Sequence, residues 1–598
     1  MDMVKLGAPK QGLLVRFLGR PRLAVWIVAL GVGLTLPGVF IGFQLDDHIG
    51  RFIYSELPGA DRLYRIYAGG YGIANGDPAE AAWMMEEGYA PWWMNPHLLL
   101  AMWRPVSLAT HLFDAAVMPE NALLWHLHSL LWFAFVLVAA TLTYRSLQGP
   151  LVGGLAALLF AIDHTHGLPV SFIANRYIIV GTTFALLALH EHHRFRARGV
   201  RHAAWSATAC YAVSLLAGES SVAIVGYVLG YALFLDPGDR RARALSVLPY
   251  LATTIVWRVV YTTLGYGVRG SGLYIDPVHE PLQFMGAVVE RFPILLLGQW
   301  FAPGAEVHGY VDGATAFILK IWAWVFAVLF ALAVWPLLKR DKVARFWAAG
   351  MLPGLVLVCA GDPANRLLFV SGIGTMGLLA QWWSVLAADL QAAAASLGRK
   401  LERTFANVLL AWHLVFSPLL LPLIATSMYL FEPLNRALAD IGPEAAGREA
   451  VLVTVPDFYV VRLARMTKEV EGKPVPSKWR ALAYGPERVT VSRPDARTLV
   501  LHYEGGAMSN SAMQLYRTPD APMAKGQKVM LEGLEIEVLE VTRDGRPLSA
   551  SFEFEESLDS PRYVAYYWEG NHFRPFDMPR VGEQRELPQA ILAPALPD

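Results

Sequence analysis

Long apolar stretches separated by short polar turns fill most of the chain, and this pattern ends near residue 430. A helix needs about 20 apolar residues to cross the hydrocarbon core of a membrane, and somewhat fewer where it is interrupted. The stretches that fit are residues 23–43, 121–144, 150–163, 177–190, 203–217, 221–236, 245–265, 314–338, 344–360, 367–388 and 406–430. They predict a polytopic α-helical membrane domain of about eleven transmembrane helices over residues 1–430. A further apolar stretch, 281–303, is broken by Pro293 and Pro303, and we expect it to be interfacial or re-entrant.

After residue 430 the pattern changes to short segments, several of which alternate apolar and polar positions. Such segments are typical of β-strands. They are VLVTVPDFYVV (451–461), TLVLHYEG (498–505), LEIEVLEV (534–541), LSASFEFE (548–555) and RYVAYYWEG (562–570). Asp544-Gly545 supplies a turn between two of them. Residues 431–598 are therefore predicted to form a soluble β-sandwich-like domain.

Charge separates the same two regions. Residues 431–598 carry 45 charged side chains in 168 positions, or 27%, whereas the other 430 residues carry 55, or 13%. The formal net charge of +0 argues against a nucleic-acid partner, since such proteins usually carry a basic surplus. The two cysteines, Cys210 and Cys359, are too few for a disulfide framework, and two alone do not make a four-ligand zinc site.

The basic residues of the turns predict an orientation, because Lys and Arg accumulate on the cytoplasmic side of membrane proteins. Turns 1–22, 144–149, 191–203, 236–246, 339–345 and 389–405 hold 20 of them, and the alternate turns 44–118, 163–176, 218–220, 266–313 and 361–366 hold 8. We therefore expect a cytoplasmic N-terminus, a large first outer loop over 44–118, and an extracytoplasmic domain over 431–598. This assignment requires that 281–303 does not cross.

Acids, imidazoles and guanidiniums gather at the predicted outer ends of the helices. Ionisable groups close to hydrocarbon are costly and are often functional. They occur in Asp46-Asp47-His48, in the turn from Asp163 to His166, in Asn175-Arg176, in Gly218-Glu219-Ser220 and in the turn from Asp362 to Arg366. The cytoplasmic turns are mostly simple Arg and Lys clusters. This difference predicts a site at the outer interface.

Structural explanations exist for the same residues. The aspartate pair Asp46-Asp47 could simply be the solvated end of a helix. The arginines Arg104, Arg176 and Arg366 could be snorkelling anchors, whose charged ends reach the membrane surface. His164 and His166 are more typical of interfacial hydrogen bonding than of a metal site, because zinc needs three or four converging ligands. Trp92 and Trp93 in the first outer loop are expected to lie at the membrane interface.

Several stretches together resemble the C-type (GT-C) integral-membrane glycosyltransferases, and among them bacterial relatives of the transmembrane O-mannosyltransferases that carry tetratricopeptide repeats. The resemblance covers roughly residues 25–390. It is carried by Phe43-Gln44-Leu45-Asp46-Asp47, the block from Trp103 to Thr110 with Asp114, Trp125-His126-Leu127-His128, the segment from Phe160 to His166, Ile173-Ala174-Asn175-Arg176, Leu216-Ala217-Gly218-Glu219-Ser220, Asn365-Arg366-Leu367 and Ser371-Gly372-Ile373-Gly374. The chain departs from the family at Gly218 (usually Lys), Asp163 (often Pro) and Leu368 (usually Tyr), and it has no tetratricopeptide array.

The resemblance implies a sugar donor on a polyprenyl phosphate in the outer leaflet and a protein, lipid or glycan acceptor that approaches from outside. Asp46 would be the general base, and Asp47 would orient acceptor or sugar hydroxyls. Arg176 and Arg366 are candidates to hold the phosphate, since guanidinium matches phosphate oxygens bidentately. The other expected substrate-binding residues are Arg104, His164, His166, Asn175, Glu219 and Asp362.

No cofactor is firmly predicted, although Asp46-Asp47 together with His164 and His166 could hold a divalent cation. The implied location is the bacterial inner membrane, with a periplasmic C-terminal domain. Two alternatives stay open. One is a lipid-linked glycan ligase or polymerase of the same architecture, and the other is a non-catalytic membrane assembly or transport protein.

Overall fold

The structure is a computed structural model that describes residues 13–55, 71–311, 313–388, 397–437, 440–509 and 513–593, apart from the side chains of residues 13, 14 and 55. Parts of the predicted first outer loop (56–70) and of the basic turn 389–405 (389–396) lie outside the described residues. In chain order the helices are α1 Leu13–Leu18, α2 Leu23–Thr35, α3 Asp46–Ser55, α4 Pro78–Glu86, α5 Pro105–Val117, α6 Ala122–Ala161, α7 Gly167–Ser171, α8 Arg176–Arg198, α9 His202–Ala217, α10 Ile224–Phe234, α11 Arg240–Thr263, α12 Pro281–Trp300, α13 Gly313–Arg340, α14 Lys342–Val358, α15 Phe369–Ala388, α16 Leu397–Ala411, α17 Ser417–Ala425, α18 Glu432–Ala437 and α19 Phe458–Val470.

The chain is a polytopic helical membrane protein, and every predicted span coincides with helix. Within the described ranges, eight helical stretches are long and apolar enough to cross a membrane by length and composition. They are Leu23–Phe40, Ala122–Ala161, Ile173–Arg198, Arg240–Thr263, Pro281–Trp300, Gly313–Arg340, Asn365–Ala388 and Leu397–Ala437. The 40-residue helix α6 breaks at Gly149, whose φ of 77° only glycine adopts freely, and so covers two predicted spans. The total of eleven spans stays a prediction, because α9, α10 and α14 are shorter than the eight.

Both flanks of helix α12 lie near one turn of the chain, although the helix is long and apolar enough to cross a membrane; its interfacial or re-entrant course stays a prediction. The backbone N–H of Ile275, six residues before it, donates to the carbonyl of Ala360 (2.8 Å). After it, the N–H of Ala305 donates to Oδ1 of Asn365 (2.9 Å). Both flanks thus contact the single turn 360–365, at one end of the helix bundle. The helix continues through Pro293, although proline has no backbone N–H and one helical hydrogen bond is therefore lost there.

The C-terminal region contains two β-sheets. Its strands are β4 Glu449–Val455, β5 Lys478–Tyr484, β6 Val489–Ser492, β7 Thr498–Tyr503, β8 Lys528–Leu531, β9 Leu534–Val541, β10 Pro547–Phe554, β11 Tyr563–Glu569, β12 His572–Pro575 and β13 Gln584–Leu587, whereas β1 Gly72–Asn75, β2 Leu99–Ala101 and β3 Gly267–Arg269 form a small sheet of their own. The order β13-β6-β7-β10-β9-β8 is antiparallel throughout, and β9 and β10 join at Gly545 as predicted.

The second sheet, β12-β11-β4-β5, corrects the sandwich prediction, because β4 is parallel to both of its neighbours. A parallel connection needs a crossover, and here it is helix α19. The segment 451–461 was expected to be one strand. It ends instead at Val455, and Asp457 caps α19 by accepting a hydrogen bond from the N–H of Tyr459 (3.0 Å).

The soluble unit is built from two separate parts of the chain. A single hydrophobic core joins apolar residues between 74 and 100 of the first outer loop to those between 434 and 590. Nε1 of Trp92 donates to the carbonyl of Leu482 (3.0 Å), and the ring of Trp93 lies 4.8 Å from that of Tyr484. Both tryptophans are therefore buried in the soluble unit and do not lie at the membrane interface as expected.

Candidate functional site

A cavity of about 280 Å³ lies where one end of the bundle of membrane helices meets the soluble unit. Six of the ten predicted site residues line it: Asp46, Asp47, Arg104, Asn175, Asp362 and Arg366. Sequence stretches more than 300 residues apart therefore converge, which is the geometric condition for a shared site. We call this space the site cavity.

The turn before α3 sets the directions of the two aspartates. Leu45 has a φ of 45°, a left-handed conformation that costs a non-glycine residue of order 1–3 kcal/mol. Hydrogen bonds hold the turn: the side-chain amide of Gln44 donates to the carbonyl of Ile41 (2.7 Å), and the N–H of Gln44 donates to Asp47 Oδ2 (3.1 Å). Strain of this kind persists only where the surroundings hold it, and it lies directly before the candidate base.

Asp46 is the first residue of α3, and its carboxylate forms no hydrogen bond or ion pair within the described part of the chain. Burial raises the pKa of Asp46 above its ordinary value, while the guanidiniums of Arg366 and Arg462 act in the opposite direction. An unpartnered carboxylate in a cavity with two cations nearby is free to accept a proton from a bound molecule.

Asp47 is in a different situation from its neighbour. Its carboxylate is buried and accepts backbone hydrogen bonds from Gln44 (Oδ2, 3.1 Å) and from Ala174 (Oδ1, 2.8 Å). It thus ties the turn after the first span to the segment before α8. Burial raises the pKa of Asp47 to about 8, against the effect of the two N–H donors. Because both oxygens already have partners, this residue suits a positioning role better than proton transfer.

Arg366 presents a free guanidinium to the site cavity. It lies in the 3₁₀ turn Asn365–Leu368 just before α15, and among the described residues no hydrogen bond or ion pair engages it. Arg104, by contrast, is engaged: its Nε donates to Glu219 (2.8 Å), and its guanidinium lies 3.6 Å from the ring centre of Tyr177. Arg366 is therefore the better candidate for binding an anion.

Four predicted residues do not reach the cavity wall. Glu219 accepts the hydrogen bond from Nε of Arg104 at its Oε2, and its Oε1 is buried without a partner in the described residues. Arg176 is fully buried, and its guanidinium is consumed by an ion pair with Asp114 and hydrogen bonds to Ser129 (2.9 Å) and to the carbonyl of Trp125 (2.8 Å). A guanidinium that is fully buried and held by these partners does not reach a phosphate in the site cavity, so the geometry favours a structural role.

The two histidines lie in the membrane domain. The ring of His164 contacts Ser417 Oγ (3.0 Å) and the amide of Asn365 (3.4 Å), and that of His166 stacks on Phe369 with centroids 4.1 Å apart. They do not join the aspartates, so the suggested Asp–His cation site is not assembled. Nor does any other group of three or more His, Cys, Asp or Glu in the described residues suit a metal ion.

Sequence reasoning missed one charged residue and most of the aromatic wall. Arg462, on α19 of the soluble unit, lines the cavity. So do rings that the sequence did not single out, namely Tyr54, Tyr71, His111, Tyr177 and Tyr274, and the ring of Trp125, which the sequence singled out only as part of a motif. A signal for Arg462 was available: Asp457 followed by apolar residues at 460, 461, 463 and 464 has the cap and spacing of a helix.

No model of a known protein family matches the sequence, and no curated protein matches it either. Solved structures similar to it include an oligosaccharyltransferase from Archaeoglobus fulgidus tethered to an acceptor peptide (TM-score 0.35, 12% identity, covering 75% of this chain and 63% of that one). Another is the archaeal oligosaccharyltransferase AglB from the same organism in complex with an inhibitory peptide and a dolichol-phosphate (0.33, 12%, 67% and 56%). A third is ArnT from Cupriavidus metallidurans bound to undecaprenyl phosphate (0.33, 13%, 76% and 89%). The chain thus spans less than two thirds of the archaeal proteins, and TM-scores this low support no conclusion about function.

Proposed function

We propose that the chain is a membrane glycosyltransferase of the C-type superfamily. It moves a sugar from a polyprenyl phosphate to a hydroxyl group of an extracytoplasmic protein, lipid or glycan acceptor. One observation carries the proposal. Among the described residues the carboxylate of Asp46 has no hydrogen-bond or ion-pair partner and the guanidinium of Arg366 has none either, and both face one cavity at the predicted outer end of the membrane helices.

These two groups meet the needs of the reaction. The acceptor oxygen forms a bond to the anomeric carbon while the bond from that carbon to the phosphate oxygen breaks. The acceptor proton passes to Asp46, and the bonding electrons leave with the polyprenyl phosphate. Negative charge therefore develops on the phosphate, where the fixed guanidinium of Arg366 stabilises it without reorganisation.

The aromatic part of the cavity wall suits a sugar ring. Tyr71, Tyr177 and Tyr274 line the cavity, and the faces of such rings pack against the C–H groups of a pyranose; Arg104 lies over one face each of Tyr71 and Tyr177, which leaves the other face of these two rings for a sugar. Asn175 also lines it, and its side-chain Nδ2 is buried without a hydrogen-bond partner. A sugar hydroxyl would satisfy this donor. The identity of the sugar is left open by these contacts.

The topology implied by the basic turns places the cavity on the extracytoplasmic side, with the N-terminus in the cytoplasm. In a bacterium that side is the periplasmic face of the inner membrane. This orientation requires that α12 does not cross the membrane, and the contacts of both its flanks with the turn 360–365 favour that course.

The function is tested with full-length protein in lipid nanodiscs and a panel of undecaprenyl phosphate sugars labelled in the sugar. We expect one donor of the panel to be hydrolysed to undecaprenyl phosphate even without acceptor, and the Asp46→Asn variant to be inactive on it. Mass spectrometry of lipids that co-purify with the protein gives a second readout. No turnover of any donor together with no bound polyprenyl phosphate would refute the proposal.

A further inference from the structure

Arg462 is a buried cation that has no counterion among the described residues. Only 6% of the residue is exposed, and its one hydrogen bond runs from Nη1 to the hydroxyl of Tyr516 (3.3 Å). Its Nε is buried with no partner, and no carboxylate lies within ion-pair distance in the described ranges. A desolvated guanidinium in this state is costly, and such groups in proteins are normally paired.

The neighbouring arginine on the same helix shows that the arrangement is specific. Arg465 of α19 lies one turn further on, and it pairs with Glu87 (2.6 Å) and Glu469 (2.9 Å). Its position faces the first outer loop, where acids are present. Arg462 faces the site cavity, and none of the carboxylates that line it (Asp46, Asp47 and Asp362) forms an ion pair with Arg462 in the described ranges. The missing partner of Arg462 is therefore to be sought in a bound molecule.

The position of α19 is fixed. It packs against α3, the helix that begins with Asp46, and its residues Phe458, Val460 and Val461 are buried in the core shared by the soluble unit and the first outer loop. The ring of Phe458 meets that of Tyr516 edge-on at 4.8 Å, beside the hydroxyl that receives the hydrogen bond from Arg462. The guanidinium is thus held at the cavity before any ligand arrives.

We propose that Arg462 binds the phosphate of the lipid-linked donor from the soluble side while Arg366 binds it from the membrane side. This inference rests on the proposed function. Arg366 and Arg462 are the two cations that act on the carboxylate of Asp46, so an anion near both also lies near the base. As the acceptor proton neutralises Asp46, the leaving phosphate gains a second negative charge, and two guanidiniums match a dianion. The soluble unit then supplies part of the leaving-group site and is more than a lid.

The test measures binding of undecaprenyl phosphate to purified full-length protein in detergent, with undecaprenol as the uncharged control lipid. The variants are Arg462→Gln, Arg462→Lys and Arg366→Gln. Arg574→Gln is the matched control, because Arg574 is an exposed arginine of the same soluble unit. Thermal unfolding of each variant reports whether it folds. Arg462→Lys keeps the positive charge, so it separates the loss of charge from a packing defect caused by the glutamine.

We expect Arg462→Gln to weaken binding of undecaprenyl phosphate by about ten- to a hundredfold, the usual range for a lost charged hydrogen bond. Arg462→Lys should lose less, and undecaprenol binding and the Arg574→Gln variant should be unchanged. If Arg366→Gln loses affinity while both Arg462 variants bind like the wild type, the inference fails and the proposed function survives. If the wild type does not prefer undecaprenyl phosphate to undecaprenol, both fail together.

Discussion

Replacing Asp46 by asparagine removes the proposed proton acceptor and almost nothing else. The carboxylate forms no hydrogen bond with the described residues, so the folded state loses none, and the amide fills nearly the same volume. A positioned general base contributes about 10²–10⁴-fold to a rate, or about 3–5 kcal/mol of barrier. We expect kcat for donor turnover to fall by that factor, with an unchanged melting temperature. The KM for the donor should not rise, because the anionic donor then meets two guanidiniums without a competing carboxylate.

The adjacent Asp47→Asn variant is the matched control. Its amide nitrogen would face one of the two backbone N–H groups, from Gln44 and Ala174, that the carboxylate now accepts. Leaving a buried donor unsatisfied costs about 1–3 kcal/mol, so this variant should show a lower melting temperature. Donor turnover and thermal unfolding are measured on both purified proteins. Wild-type kcat in Asp46→Asn would refute the assignment of the base, as would a melting temperature lowered as far as in Asp47→Asn.

Two further predictions follow from the buried charges. Arg176→Gln should cost about 3–5 kcal/mol of stability, because it removes the guanidinium partner of the buried carboxylate of Asp114 and leaves it only the imidazole of His128. This variant should show a lowered expression level and melting temperature, unlike Arg366→Gln. The second prediction concerns pH: the pKa of Asp47 is about 8 in the folded protein, against an ordinary value of 3.8. Between these two pH values the folded protein holds a proton on Asp47 that the unfolded chain has lost. The free energy of unfolding should therefore fall as the pH rises from about 4 to 8. The melting temperature of the wild type minus that of Asp47→Asn should decline over this pH range, and a constant difference would contradict the pKa shift.

Much of the fold could be predicted from the sequence because membrane helices are recognisable by the length and apolarity of their segments. Strands β7, β9 and β10 could also be predicted, since one face of each is mostly buried and apolar residues therefore alternate with polar ones. The segment 451–461 misled because VLVTVPDFYVV is apolar throughout, and a short apolar run does not distinguish a buried strand from the start of a helix. Pro456 and Asp457 mark the boundary, and the crossover helix that follows gives the sheet its parallel strands.

The candidate site was predictable only where charge at a helix end sufficed. Burial decides what a charged residue is free to do, and burial is a tertiary property. Arg176 and Arg366 look alike in the sequence, each following an asparagine at the start of a helix. The structure separates them: Arg176 meets Asp114 in the interior, whereas Arg366 has no such partner and opens on the cavity.

The role of Arg462 is harder to predict from the sequence, because it depends on three tertiary contacts at once. The helix that carries it packs on α3, the core that holds that helix includes the first outer loop, and the cavity it lines belongs to the membrane helices. Removing 431–598 would therefore expose half of a hydrophobic core and remove one cation of the site together. A truncated protein that lost activity could not distinguish a missing cap from a missing phosphate ligand. Single substitutions at Arg462 can, because they leave the core that joins both segments intact.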